Sequence, residues 1–174
     1  MSLSRLGELA LIEQIRGASA GGIAPGVRAG IGDDTAVLEP TPRAVLLATT
    51  DLLLEDIHFR RPGAAPCDIG WKALAVNLSD VAAMGGRPRW ALVALAVPGA
   101  TDASEVEAFY AGMREAAAPH GVAIVGGDTA ASPGGWMVNV TLLGEHGGAP
   151  RLRSAARPGD AVAVTGSLGA SAAG

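Results

Sequence analysis

The stretch Pro66 to Met84, PCDIGWKALAVNLSDVAAM, constrains the fold more than any other. It is too long for a strand, long enough for a helix buried in a core, and it is closed by Gly85 and Gly86. Before it, Ala44 to Thr50 (AVLLATT) is a continuous apolar run of strand length; after Pro88, RWALVALAV returns to strand. A buried helix bracketed by buried strands requires a sheet and helices packed as layers.

The rest of the chain continues the alternation. Ser4 stands where it can cap an opening helix with Leu6, Leu9, Ile12 and Ile15 at helical spacing, ending near Gly17 and the glycine-rich ASAGGIAPG. Thr101 or Asp102 can cap a helix through SEVEAFYAGMREAAA that stops at Pro119 and Gly121; VAIVGGD and WMVNVTLLGE then read as strands. The expected class is α/β (α+β), a mixed sheet covered by helices. RPGDAVAVTG reads as a turn and a short strand opening a further unit, and SLGASAAG follows with no terminating signal.

Composition excludes several functions. The 174 residues are 49% hydrophobic and 17% charged, enough to bury a sizeable core. With a net charge of -4 and scattered basic residues, no stripe is offered to nucleic acid or an anionic membrane. Cys67 is the single cysteine, which rules out an internal disulfide framework and fits a cytoplasmic chain. Glu8 and Glu13 interrupt the N-terminal apolar pattern, so it is no signal peptide, and no apolar run reaches membrane-spanning length.

Against this background the acids stand out. Asp33 and Asp34 lie in GIGDDTAVL at a strand entrance, Asp51 follows Thr49 and Thr50 at the end of an apolar run, Asp80 falls inside the apolar helix, and Asp128 follows VAIVGG. Ionised carboxylates in such places are costly without compensation. Two of them about 4 Å apart repel by roughly 4 kcal/mol at an effective dielectric near 20. Local cations are scarce, since Lys72 is the only lysine. Carboxylates with threonine hydroxyls form a hard oxygen set suited to Mg²⁺. A structural alternative stands beside this: Asp33, Asp51 and Asp128 can serve as turn or cap residues, and Asp80 as half of a buried pair with an arginine. His58, His120 and His146 share no metal-ligand spacing, and Tyr110 beside Phe109 reads as core. Phosphate is the habitual partner of Mg²⁺, yet no GxxxxGK[ST] loop is present; Gly126 and Gly127 before Asp128 and Thr129 instead offer close backbone approach beside a metal-ligating acid.

GIGDDTAVL, TTDLLLEDIHF, KALAVNLSDVAAMGG and GGDTA, in this order, closely resemble the thiamine-monophosphate kinases, in the superfamily that includes aminoimidazole ribonucleotide synthetase. The match covers nearly the whole chain; GGDT alone is shared across the superfamily. The resemblance implies an aminoimidazole ribonucleotide synthetase N-terminal-like fold. It also implies direct transfer of the ATP γ-phosphate to thiamine monophosphate, and a homodimer formed through the N-terminal domain. It implies a cage for several Mg²⁺ ions made by Asp34, Thr49, Thr50, Asp51, Asp80 and Asp128, with Asp33 as a neighbouring or alternative ligand. His58 would face thiamine monophosphate, with Tyr110, Gly127, Asp128 and Arg153 on the ATP side. Residues 1–149 would be the ATP- and Mg-binding, dimerising domain and 150–174 the beginning of a truncated C-terminal domain. Many relatives carry an acid where this chain has Ala170, so no ligand is assigned there. Two alternatives remain open: a non-catalytic dimerising fragment, and another ATP-dependent member of the superfamily, acting in purine-pathway amidine synthesis or hydrogenase maturation.

Overall fold

In the computed structural model, which describes residues 2–19, 24–164, 166, 168 and 169, the chain is built on a four-stranded mixed sheet. Two N-terminal helices, α1 (Leu3–Leu6) and α2 (Glu8–Ser19), precede the short strands β1 (Val27–Ala29) and β2 (Val37–Leu38). Then come β3 (Val45–Leu54), α3 (Pro66–Ala83), β4 (Arg87–Val97), α4 (Ala103–Ala117), β5 (Ala123–Ala131) and β6 (Met137–His146). The sheet order is β3-β6-β4-β5, antiparallel except for the β4–β5 pair, and β1 and β2 form a separate antiparallel pair. No helix among the described residues is long and apolar enough to cross a membrane.

Local chemistry explains the elements. Pro66 opens α3 where a missing N–H costs nothing, and the Gly85 and Gly86 amides close it by donating to Ala82 and Val81 carbonyls. Asp102 caps α4: its carboxylate accepts from the Ser104 amide at 2.9 Å, while Glu105 accepts from the Asp102 amide at 3.1 Å. Val106, Phe109, Tyr110, Met113 and Ala117 recur at helical spacing on its buried face. The two helices touch backbone to backbone, because a Cβ at Gly70 would overlap the Phe109 carbonyl and one at Gly112 the Cys67 carbonyl.

One face of the sheet carries the core. Leu53, Val138, Val140, Leu142, Ala91, Val93, Leu95 and Val97 lie with Ile69, Leu74 and Val81 of α3 and Phe109 and Met113 of α4 in one buried cluster. The opposite face is covered only in part. At one end segment 24–41 buries Trp90, Val125 and Glu145; elsewhere Leu46, Leu52 and Met137 stand 51%, 49% and 43% exposed.

Three expectations are corrected in detail. The opening helix is two, broken at Gly7, whose φ of +80° a helix cannot hold. The strand at whose entrance the sequence puts Asp33 and Asp34 is only two residues long, and it begins three residues after Asp34. Of the short strand expected within 157–166, residues 157–164 form no part: they are exposed, Val162 almost completely. Ala170 lies outside the described residues.

Candidate functional site

The first group of candidate residues gathers at the β3 edge of the sheet. Successive residues of a strand point to opposite faces, so Thr49 and Asp51 share the helix-side face with buried Leu53, and Thr50 takes the other. Asp80 stands in the last turn of α3 and accepts a 2.6 Å hydrogen bond from Thr49 Oγ1. The side chain of Asp80 is exposed, which corrects the expectation of a carboxylate inside an apolar helix. The helix is apolar on its buried face through Ile69, Ala73, Leu74 and Val81, and Asp80 falls off that stripe. Thr50 Oγ1 donates to the Val140 carbonyl at 3.2 Å and meets Thr141 Oγ1 at 3.1 Å. Asn139 Nδ2 donates to Thr50 Oγ1 at 3.0 Å and to the Asp51 carbonyl at 3.2 Å.

The second group lies at the β5 edge. Asp128 pairs in register with Ala94, and its Oδ1 accepts from the Thr129 amide at 2.9 Å. Gly127 has φ +149°, and a Cβ there would overlap the Val93 carbonyl. The backbone approach expected to favour a phosphate is thus made first to β4, and it gives Gly127 a structural reason of its own. The loop between β1 and β2 carries Asp33 and Asp34 to the same edge, where a Cβ at Gly30 would sit 3.6 Å from the Val125 carbonyl oxygen. Asp33 Oδ1 accepts from the Asp34 amide at 2.9 Å, and both side chains are exposed.

These groups are separated by the width of the sheet. With β3 and β5 at opposite edges, Asp51 and Asp128 stand three strand spacings apart, about 14 Å. Among the described residues no cluster of three or more His, Cys, Asp or Glu side chains is close enough to hold a metal within one chain. The four ion pairs among those residues leave out Asp34, Asp51, Asp80 and Asp128. Carboxylates without a protein counter-charge, grouped with threonine hydroxyls, fit a hard divalent cation such as Mg²⁺ and do not fit zinc or copper.

The remaining candidates are dispersed. His58 is exposed in the turn after β3, its Nδ1 accepting from the Leu54 amide at 3.0 Å, while Phe59 beside it is buried. Tyr110 is buried against Phe109, ring centroids 5.2 Å apart, and burial pushes its phenol pKa up. It lines a cavity of about 200 Å³ between α2 and α4 together with Ile15 and Arg114. Arg153 is exposed in a 3₁₀ turn, Arg153–Ala155, beyond the sheet.

Two participants were missed in the sequence. Asn139 organises Thr50 and the Asp51 carbonyl, and its signal was the Asn139–Thr141 pair two residues apart in an otherwise apolar strand, which places both on one face. Glu145 is a charge 7% exposed, paired with Arg89 and bonded to Thr41, and only its place at the end of an apolar strand hinted at burial.

A mixed sheet with helices on one face defines an α/β domain, and among the described residues its two edges carry carboxylates that stand outside the ion pairs. Residues 32–146 match the family model "AIR synthase related protein, N-terminal domain", and the chain belongs to that family. It is 46% identical over 149 residues to a thiamine-monophosphate kinase of Bacillus subtilis, a match covering 85% of this chain and 46% of the relative. Among solved structures it is similar to a thiamine-monophosphate kinase from Stenotrophomonas maltophilia K279a, with a TM-score of 0.69, 41% identity, and coverage of 81% of this chain and 43% of that one. It also resembles AaThiL complexed with AMPPCP and TMP, with a TM-score of 0.57, 41% identity, and coverage of 83% and 44%. The chain spans about half the length of the relatives it matches.

Proposed function

We propose that this chain is the nucleotide- and metal-holding half of an ATP-dependent thiamine-monophosphate kinase, working as a pair of copies whose sites each draw on both. The observation that carries the reading is the split acid set, uncompensated at both edges of one sheet, in a chain 46% identical to a kinase of that name. Complexes of a similar protein with AMPPCP and TMP support the same substrates.

The open face supports the pairing. Leu46, Leu52 and Met137 are each more than two-fifths exposed on a sheet face that also presents Ala94 and Ala130. Packing this face on its copy about a two-fold axis would bury them. With the two-fold axis running along the strands, it would also set the β3 edge of one sheet over the β5 edge of the other, about 10 Å away, which is nearer than the roughly 14 Å that one chain leaves between its two groups.

Asp34, Thr49, Thr50, Asp51, Asp80 and Asp128 would hold Mg²⁺. The ions supply charge neutralisation for the phosphates where no P-loop lysine exists. Gly127, Asp128, Tyr110 and Arg153 take the ATP side and His58 the thiamine monophosphate. The γ-phosphoryl group passes in line to a phosphate oxygen of thiamine monophosphate; the bond to the leaving ADP oxygen breaks as the new P–O bond forms, with no covalent enzyme intermediate. Residues 1–149 form the binding unit, in keeping with the last strand ending at His146, and 150–174 begin a second. The single free Cys67 suits a cytoplasmic setting.

Calorimetric titration with AMPPCP in millimolar Mg²⁺ tests the binding half, where saturable heat that vanishes in EDTA is expected. Sedimentation tests the pairing, with a two-chain mass that falls to one chain in Leu52→Glu. Absence of nucleotide heat together with a one-chain mass for the unmodified protein overturns the proposal.

A further inference from the structure

The loop carrying Asp33 and Asp34 has no long strand to hold it, since β1 is three residues and β2 two. Its placement comes from its roots. On the entering side, Arg89 Nη2 donates to the Pro25 carbonyl at 3.0 Å. Gly26 beside it, at φ +77°, is so closely packed that a Cβ would lie 2.7 Å from Trp90 Cζ2 and 2.6 Å from the Glu39 carbonyl oxygen. On the leaving side, Glu145 Oε1 accepts from the Thr41 amide at 2.6 Å and Oε2 from Thr41 Oγ1 at 2.8 Å. Arg89 Nη1 joins the two sides by pairing with Glu145 Oε2. The guanidinium also lies over the Trp90 ring, 4.7 Å from its centroid. The two charged side chains are only 11% and 7% exposed.

A buried ion pair is weak evidence of stabilisation in itself, because desolvation offsets its attraction. The β1–β2 pairing and the Glu39 amide, which donates to the Gly26 carbonyl at 2.7 Å, hold the two sides to each other; what this pair adds is geometry, as one planar fork ties both sides to the main sheet. We propose that Arg89 and Glu145 are the positioning residues of the acid loop: by clamping Pro25 and Thr41, the two roots of segment 24–41, to β4 and β6, they fix where Asp33 and Asp34 stand. The inference rests on the reading of Asp34 as a metal ligand. Outer partners that orient ligands commonly contribute ten- to a hundredfold to metal affinity.

The test uses Mg²⁺ alone as the probe on the 174-residue chain, comparing the unmodified protein with Arg89→Lys, Glu145→Gln and Asp34→Asn. Amide hydrogen exchange reads the loop and calorimetry reads Mg²⁺ affinity. Arg89→Lys keeps a counter-charge for Glu145 but loses the fork. It is expected to melt close to the unmodified protein, exchange the amides of 27–38 about tenfold faster with β4, β5 and β6 unchanged, and bind Mg²⁺ about tenfold more weakly. Asp34→Asn should lose Mg²⁺ affinity with loop exchange unchanged. If Asp34→Asn weakens Mg²⁺ while Arg89→Lys and Glu145→Gln match the unmodified protein in both readouts, the positioning role alone falls. If Glu145→Gln loses protection across β4 and β6 as well as the loop, the pair belongs to the fold at large and the role also falls. If the unmodified protein binds no Mg²⁺, or binds it as well after Asp34→Asn, the metal reading of Asp34 falls and takes this inference with it.

Discussion

Asp80→Asn separates a metal ligand from a merely structural acid. In the apo protein Asp80 is exposed, in no ion pair among the described residues, and accepts one 2.6 Å bond from Thr49 Oγ1. Asparagine keeps an acceptor at that place. A hydrogen bond to a charged group is worth about 1.5–3 kcal/mol and a neutral one about 0.5–1.5, so the apo cost is about 1 kcal/mol, less any relief of repulsion. For a domain of this size that is a fall in Tm of about 2–4 °C. Ligand binding acts on a larger scale: Mg²⁺ at about a hundred times its Kd adds about 2.7 kcal/mol, a rise of roughly 5–11 °C. Thermal melts followed by far-UV circular dichroism, with and without millimolar Mg²⁺ and AMPPCP, read both effects. The expected pattern is a nearly unchanged apo Tm and loss of most of the ligand-induced rise. An apo variant that melts many degrees lower yet gains the full rise with Mg²⁺ refutes the assignment of Asp80 to the cage.

Three further outcomes follow from the geometry. Gly127→Ala must both hold φ near +149° and clear the Val93 carbonyl, so it should lose more than about 2 kcal/mol in urea unfolding. Burial raises the Glu145 pKa, but the bonds from Thr41 and the charge of Arg89 outweigh it and leave the carboxyl below its usual range. Its stabilisation is therefore present above the unfolded value of about 4.3 and lost as pH falls through the folded one, and a Tm series below pH 5 should fall more steeply than in Glu145→Gln. Tyr110, the single tyrosine, is buried with its pKa raised, so its stabilisation is present below the unfolded value of about 10 and lost at higher pH. Absorbance at 295 nm should show no phenolate at pH 10.5 in the folded protein and about three-quarters ionisation in guanidinium.

How much of this was legible in the sequence depended on which contacts decide each feature. The helix over 66–83 and its strand neighbours follow from runs of apolar residues and from Pro66, Gly85 and Gly86, all local signals. The capping of α4 by Asp102 was equally local. The strand order was not readable, since β6 enters between β3 and β4 by pairing residues far apart in the chain. That insertion is what parts Asp51 from Asp128. The exposure of Asp80 escaped because its neighbours Leu78 and Val81 are apolar, while its own position on the helix points off the buried stripe. The clamp of Glu145 and Arg89 is a non-local contact between the end of one strand and the start of another, with Thr41 supplied by a third segment.

The central claim is that each site is assembled from two copies, and mixing two inactive variants tests it most directly. Asp51→Asn disables the β3-edge group and Asp128→Asn the β5-edge group. If sites are shared, a mixed pair carries both substitutions in one site and none in the other. Calorimetry with AMPPCP in Mg²⁺ should then show no binding by either variant alone. An equimolar mixture, refolded together so that copies exchange, should regain about a quarter of the unmodified stoichiometry. A mixture that binds no more than the separate variants, under conditions where mixed pairs are shown to form, contradicts the claim.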